Sequence, residues 1–136
     1  MIEIAARGLV DGSAEGPALV SAEAISFLGD VDIRSGEIVG ELASVKGRRL
    51  GGTVLLMPYS RGSAGAWRFL FQLFKHGTAP VAIVCGTLPD PSVVQGAILA
   101  GIPVACEPAR PLAGLVADGA RVAVAVQGPR ATIRIG

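Results

Sequence analysis

Three apolar runs without a charged residue, separated by two segments of helical character, constrain the fold of this chain most strongly. The runs are TVLLM (Thr53 to Met57), VAIVC (Val81 to Cys85) and PVAC (Pro103 to Cys106). Such continuous runs are typical of strands covered on both faces. Helices are predicted between them, over Trp67 to Gly77 and Ser92 to Ala100. Because a strand, a helix and a strand within about thirty residues form a right-handed crossover unit, the three strands are predicted to run parallel.

The first helix has the clearest periodicity in the chain. The apolar residues that keep helical spacing are Trp67, Leu70, Phe71 and Phe74. Gly77 is a natural stop for this helix. Its apolar arc is wider than a single core requires, so part of the helix is predicted to face another protein. The second helix is predicted to be capped by Ser92, with Pro91 before it.

Strands are also predicted at both ends of the chain. They are Ile2 to Val10, Ala18 to Ser21, Arg121 to Val126 and Ala131 to Ile135. Turn signals at Asp11-Gly12 and Glu15-Gly16 separate the first two, and Gln127-Gly128-Pro129 joins the last two as a hairpin. Together with the central βαβαβ unit, these strands predict an α/β fold class, with a mixed sheet or compact barrel that has helices on one side.

The stretch from Ile25 to Gly40 shows little helical period and carries two turn signals, Gly29-Asp30 and Ser35-Gly36. It is predicted to be a long ordered loop with one short strand over Glu37 to Val39. Loops of this length in compact domains are usually functional or held by a partner.

Length and composition predict one domain over residues 1–136 with a real hydrophobic core. The net charge is +1 and the basic residues are scattered, which argues against nucleic acid as a partner. No apolar stretch reaches the length of a membrane span. Cys85 and Cys106 end apolar runs and are predicted to be buried. Two distant cysteines cannot alone hold zinc or an iron–sulfur cluster, so no metal site is predicted, and a reducing, cytoplasmic compartment is expected.

Polar chemistry concentrates in PYSRGSAGAW, residues 58 to 67, where a central strand ends and a helix begins. In open α/β sheets ligands bind at that end of the strands, and a helix N-terminus offers N–H groups and partial positive charge. Arg61 adds a forked donor that matches carboxylate or phosphate. In the simpler alternative Ser63 merely caps the helix, worth ~1 kcal/mol. The stretch is neither a Walker loop nor a nucleophile elbow.

Other polar residues are weaker candidates. His76 is predicted to be a solvated helix end. Asp30 and Asp32 are either a carboxylate pair or turn residues, and the turn is favoured. Glu107 lies near a strand end, where its role is ambiguous.

Three segments together resemble the small subunit of the aconitase-X family, a family of hydro-lyases with large and small chains or their fusions. They are EGPALVSAEAISFLGDVDIRSGEI, GGTVLLMPYSRGSAGAW and HGTAPVAIVCGTLPDPSVVQGAILAGIPV. The resemblance runs from about Leu9 to about Cys106. It implies a swivelling β/β/α domain like that of aconitase.

The resemblance also implies roles. A large-subunit partner would carry a 4Fe–4S cluster on its own cysteines, and this chain would be inactive without it. Ser63 would be the catalytic base, and Arg61 would bind a small anionic substrate. Ser60 and Gly62 would shape the loop, and backbone N–H groups from Gly62 through Ala64 to Gly65 would hold the substrate. The segment from Ser26 to Asp32 would face the large subunit or the substrate. Many members carry Ser or Cys where this chain has Ala64, a difference expected to tune the pocket.

Two reactions are implied by the resemblance. One is dehydration of (R)-mevalonate 5-phosphate to trans-anhydromevalonate 5-phosphate in the archaeal mevalonate pathway, and Tyr-Ser-Arg-Gly-Ser at residues 59–63 favours it. The alternative is dehydration of cis-3-hydroxy-L-proline. A third hypothesis is that the chain is a non-catalytic swivel module that binds an anion. A phosphocarrier domain ranks last, because it needs a histidine at a helix N-terminus and His76 is at the other end.

Overall fold

Burial on both faces of the central strands explains why their sequences are apolar throughout. The computed structural model describes residues 2–41, 43–61 and 64–136. Within these ranges the elements are β1 Ile2–Val10, β2 Gly12–Val20, β3 Val54–Met57, α1 Ala66–Lys75, β4 Ala82–Cys85, α2 Pro91–Ala100, β5 Val104–Cys106, β6 Arg121–Gln127 and β7 Arg130–Ile135. All residues of β3, β4 and β5 are buried.

The strands described close into a barrel in the order β1-β5-β4-β3-β2-β6-β7. Neighbours from β2 to β5 are parallel, and the remaining pairs are antiparallel. This mixed barrel around a central βαβαβ unit confirms the predicted fold class. Because β2, β3, β4 and β5 are parallel, the segments that follow them emerge at one edge of the barrel, here called the carboxyl edge.

Two apolar clusters lie on the two faces of the central strands. Leu56 and Val84 belong to the cluster that fills the barrel, whereas Leu55 and Ile83 belong to the cluster beneath the helices. Side chains alternate between the faces of a strand. Each central strand is therefore covered twice, as its sequence predicts. No helix among the described residues has the length and apolar character needed to cross a membrane.

The turn predicted at Glu15-Gly16 is wrong, because β2 begins at Gly12 and runs through it. Gly16 pairs with Val122 of β6. A Cβ at Gly16 would lie 2.5 Å from the carbonyl oxygen of Gly52. The glycine therefore serves a close backbone approach inside the sheet, a role that its sequence context cannot distinguish from a turn.

The segment from 25 to 40 is ordered and contains no regular strand. The strand predicted over Glu37 to Val39 is replaced by two isolated bridges, Val31 to Ile38 and Glu37 to Arg49. The segment is anchored by apolar residues that are fully buried, among them Ile25, Phe27 and Ile38. They join the cluster beneath the helices, so this loop is a packed layer of the fold.

The two helices cross at Gly96. A Cβ at this position would lie 3.0 Å from Cα and 3.1 Å from the carbonyl oxygen of Trp67. Both atoms belong to the backbone of α1, so they cannot swing away as the end of a side chain would. The absence of a side chain at Gly96 therefore sets how closely α2 approaches α1.

Gly96→Val is expected to lower the free energy of unfolding by about 1–3 kcal/mol, because the added methyl groups must separate the helices. Urea denaturation followed by circular dichroism measures the loss. Gln95→Val is the matched control: it puts the same β-branched residue one position earlier, at an exposed site, and should cost less than about 0.5 kcal/mol. Equal losses in the two variants would contradict this account of the crossing.

Candidate functional site at the carboxyl edge of the barrel

The stretch from 58 to 65 leaves the carboxyl end of β3 and enters α1, as predicted. Its start is fixed against the segment that follows β4. The N–H of Thr87 donates to the carbonyl of Pro58 at 3.1 Å, and a Cβ at Gly86 would lie only 2.6 Å from that same oxygen. Gly86 thus allows two neighbouring backbone segments to touch where the parallel strands end.

The first turn of α2 holds the rest of this loop. The N–H of Asp90 donates to Oγ of Ser60 at 2.7 Å. The buried Ser92 hydroxyl donates to the carbonyl of Ala64 at 3.0 Å and accepts the N–H of Trp67 at 2.9 Å. The loop is therefore tied on both sides of its central residues to one turn of a neighbouring helix.

This arrangement corrects the predicted caps. The N-cap of α2 is Asp90, with Pro91 at the first helical turn, so Ser92 does not cap its own helix. Its hydroxyl instead satisfies an N–H in the first turn of α1, whose own N-cap is Gly65. The N–H of Trp67, in the first turn of α1, is consequently engaged within the chain.

Arg61 reaches across the carboxyl edge to the loop between β2 and β3. Its Nη2 lies 3.5 Å from Oδ2 of Asp30. The Arg61 side chain is 63% exposed, whereas that of Asp30 is 19% exposed. Asp30 thus contacts the candidate site in addition to its predicted turn, and a spacing of 31 residues gave no local signal for this contact.

The remaining polar candidates lie outside this arrangement. Asp32 accepts the N–H of Arg34 at 3.0 Å, as a turn residue does. His76 is exposed at the end of α1 and its Nδ1 lies 2.9 Å from the carbonyl oxygen of Gln72, which confirms the predicted helix end. Glu107 has a positive φ of 51° and pairs with Arg7 at 3.2 Å.

The central residues of the predicted site, Gly62 and Ser63, lie outside the described residues. Ala64 is exposed at the start of the turn into α1. Gly65 is half-buried, and its carbonyl accepts the N–H of Arg68 at 3.1 Å. The described flanks, Ser60 and Arg61 on one side and Ala64 and Gly65 on the other, bring both ends of the predicted site to the carboxyl edge.

A cavity of about 410 Å³ opens at the same edge, in the mouth of the barrel. Its lining includes Ser21, Met57, Pro58, Gly86 and Thr87. These residues lie at or just beyond the ends of β2, β3 and β4, beside the strand end from which the loop of Ser60 and Arg61 departs.

The two cysteines are poor ligands for a metal or an iron–sulfur cluster. Both are buried and free, and they occupy paired positions of β4 and β5. Burial raises the pKa of Cys85 to about 12 and also raises the pKa of Cys106. Metal ligation requires thiolates, which these environments disfavour. Among the described residues, no group of three or more histidine, cysteine, aspartate or glutamate side chains is placed to hold a metal ion.

Comparisons with known proteins agree with this architecture. The model of the aconitase X swivel domain matches residues 3–135. The phosphomevalonate dehydratase small subunit of Methanothermobacter thermautotrophicus is 40% identical over 123 residues, covering 90% of this chain and 93% of that protein. The protein of the same name from Methanosarcina acetivorans is 41% identical over 103 residues, covering 76% of this chain and 71% of that protein.

Two solved structures share the fold. The crystal structure of Thermococcus kodakaraensis aconitase X in its holo-form has a TM-score of 0.88 and 28% identity, covering 98% of this chain and 99% of that chain. The solution structure of a UPF0107 protein has a TM-score of 0.86 and 31% identity, covering 99% of each chain. Barrel topology, site position and sequence similarity lead to one conclusion: the chain belongs to the aconitase X swivel-domain family.

Proposed function

We propose that this chain acts as one swivel domain over residues 1–136, the small subunit of a heteromeric aconitase-X hydro-lyase that dehydrates (R)-mevalonate 5-phosphate to trans-anhydromevalonate 5-phosphate. The observation that carries the proposal is 40% identity, over 90% of the chain, to a protein named phosphomevalonate dehydratase small subunit. The proposal implies the archaeal mevalonate pathway and a cytoplasmic location.

The chain's own part in the reaction belongs to the loop that follows β3. Ser63 is the proposed base, and it precedes the N-cap of α1, Gly65, by two residues. The partial positive charge of a helix N-terminus and the Arg61 guanidinium both favour an ionised oxygen nearby. Arg61 is exposed and therefore open to the carboxylate or phosphate of the substrate.

The second half of the active site is assigned to a large subunit. A dehydratase also needs a Lewis acid for the departing hydroxide, the chemistry that a 4Fe–4S cluster supplies. Cys85 and Cys106 do not fit such a cluster, because they are buried and their thiols hold their protons. The proposal therefore places the cluster on cysteines of the large subunit.

Co-expression with an aconitase-X large subunit tests the function. The complex is expected to dehydrate mevalonate 5-phosphate, and Ser63→Ala is expected to lower kcat by about 10²–10⁴-fold, the usual contribution of a general base. Ser13→Ala, an exposed serine on β2, is the control and should retain full activity. Size-exclusion chromatography verifies that each variant still assembles.

The outcomes separate the alternatives. Full activity of the Ser63→Ala complex would remove Ser63 from the base role. Turnover of cis-3-hydroxy-L-proline without turnover of mevalonate 5-phosphate would mean that the substrate is different and that the hydro-lyase class is correct. Anion binding by the isolated chain, with no association and no turnover, would favour the non-catalytic swivel module.

The exposed face of α2 is the proposed contact for the large subunit. Residues 91–100 include no charged side chain. Leu88, Ile98 and Leu99 are between 52% and 61% exposed, and with Val94 they line a shallow apolar groove of about 370 Å³. The groove adjoins Asp90, which holds Ser60 of the site loop. A partner that closes over that loop would bury this face as well.

Ile98→Glu is expected to weaken association with the large subunit at least tenfold, because a carboxylate would lose its hydration in an apolar contact. Ala125→Glu places the same charge on an exposed position of β6, three strands around the barrel from β4, and should leave the affinity unchanged. Isothermal titration calorimetry with purified subunits measures the affinity of each variant for the large subunit. Equal affinities for both variants would show that the large subunit binds elsewhere.

A further inference from the structure

We propose that Asp30 is a positioning residue, which orients the Arg61 guanidinium for binding an anion at the carboxyl edge. The identity of that anion as the substrate rests on the proposed function. The orientation of Arg61 by Asp30 rests only on this chain's own contacts.

The backbone N–H, the backbone carbonyl and the carboxylate of Asp30 all take part in hydrogen bonds within its loop. Its N–H donates to the carbonyl of Ser26 at 3.1 Å, and its own carbonyl accepts the N–H groups of Val39 at 2.8 Å and Gly40 at 3.2 Å. Oδ2 accepts the N–H of Ser26 at 2.9 Å. The carboxylate therefore has a fixed place before it meets Arg61.

Gly40 leaves the space that this carboxylate occupies. A Cβ at Gly40 would lie 2.8 Å from Oδ1 and 3.0 Å from Cγ of Asp30. Gly40 is not among the glycines with positive φ, so its backbone conformation is open to other residues. The room that the Asp30 side chain needs thus explains the glycine at this position.

The Arg61 side chain is the more exposed member of the pair. It is 63% exposed, and a single contact, Nη2 to Oδ2 at 3.5 Å, links it to Asp30. Among the described residues no other acceptor is bonded to its guanidinium. Because the Arg61 side chain is largely exposed, its ion pair with Asp30 contributes little to folding, about 0–1 kcal/mol, so stability does not account for the contact between them.

Orientation accounts for it better. A long arginine side chain loses rotamer freedom when it binds an anion, and a carboxylate that already restrains one of its nitrogen atoms lowers that cost. The other N–H groups of the guanidinium have no acceptor among the described residues and are available to a second anion. Asp30 also lowers the net positive charge at the site, which by itself weakens the binding of an anion. The orientation of Arg61 strengthens that binding by more than the lost charge weakens it.

Steady-state kinetics of the assembled complex test the proposal. Asp30→Asn keeps an acceptor for the Ser26 N–H but removes the charge that restrains Arg61. KM is expected to rise about tenfold, with kcat within about twofold of the wild type. Asp11→Asn is the matched control, because Asp11 lies before the amino end of β2, away from the carboxyl edge, and its carboxylate accepts the N–H of Gly128; it should leave both constants unchanged. An unchanged or lowered KM in Asp30→Asn would overturn the proposal.

A double-mutant cycle separates positioning from a loss of loop structure. If Asp30 acts through Arg61, Asp30→Asn adds nothing to the KM of an Arg61→Ala complex. A further increase in that background would mean that Asp30 supports the loop in some other way, and would refute the positioning role.

Side-chain relaxation of ¹⁵N at Nε of Arg61 in the isolated chain gives a readout independent of activity. Asp30→Asn should increase the motion of this group, and Asp11→Asn should not. Unchanged motion would overturn the proposal even for an active complex. If the complex dehydrates neither substrate but the Arg61 motion in the isolated chain responds to Asp30→Asn, the proposed function is rejected and the positioning role is retained.

Discussion

The hydroxyl of Ser92 is the interaction on which the arrangement of the site depends. It is buried, donates to the carbonyl of Ala64 and accepts the N–H of Trp67, so it joins the first turns of both helices to the loop between β3 and α1. Removal of this hydroxyl would leave the carbonyl of Ala64 and the N–H of Trp67 without the partner that the structure gives them. Gly96, one turn further along α2, permits the close helix contact that brings Ser92 within reach.

The barrel was predictable because the sequence pattern of its central strands and helices is local. Continuous apolar runs separated by helical segments predict parallel strands, and β3, β4 and β5 are parallel and buried on both faces. The failures concern residues whose role depends on distant backbone. Gly16 looks like a turn and lies inside β2 against the carbonyl of Gly52, whereas Ser92 looks like a cap and serves the other helix. Glycine and serine suit both roles, and only tertiary structure selects between them.

The position of the candidate site was predictable in part for the same reason. Strand, small residues, arginine and helix in succession place Ser60 and Arg61 at the carboxyl edge, and the structure confirms that location. Asp30 was assigned to a turn, and it is both a turn residue and the partner of Arg61, 31 residues away. Asp32 is also an aspartate, two positions later in the chain, and its carboxylate makes only a turn contact. Sequence pattern alone cannot rank the two, because the difference lies in which loop each carboxylate faces.

The proposed division of chemistry between this chain and a large subunit is supported by burial and charge. The two thiols that might have bound metal lie in the core, where desolvation keeps them protonated. Among the described residues of the loop that follows β3, the charged side chain is that of Arg61, and it is 63% exposed. The bonds that order the flanks of this loop, from Asp90 to Ser60 and from Ser92 to Ala64, lie entirely within the chain. A partner closing over the loop would therefore meet prearranged flanks, and less of its binding energy would be spent on ordering them.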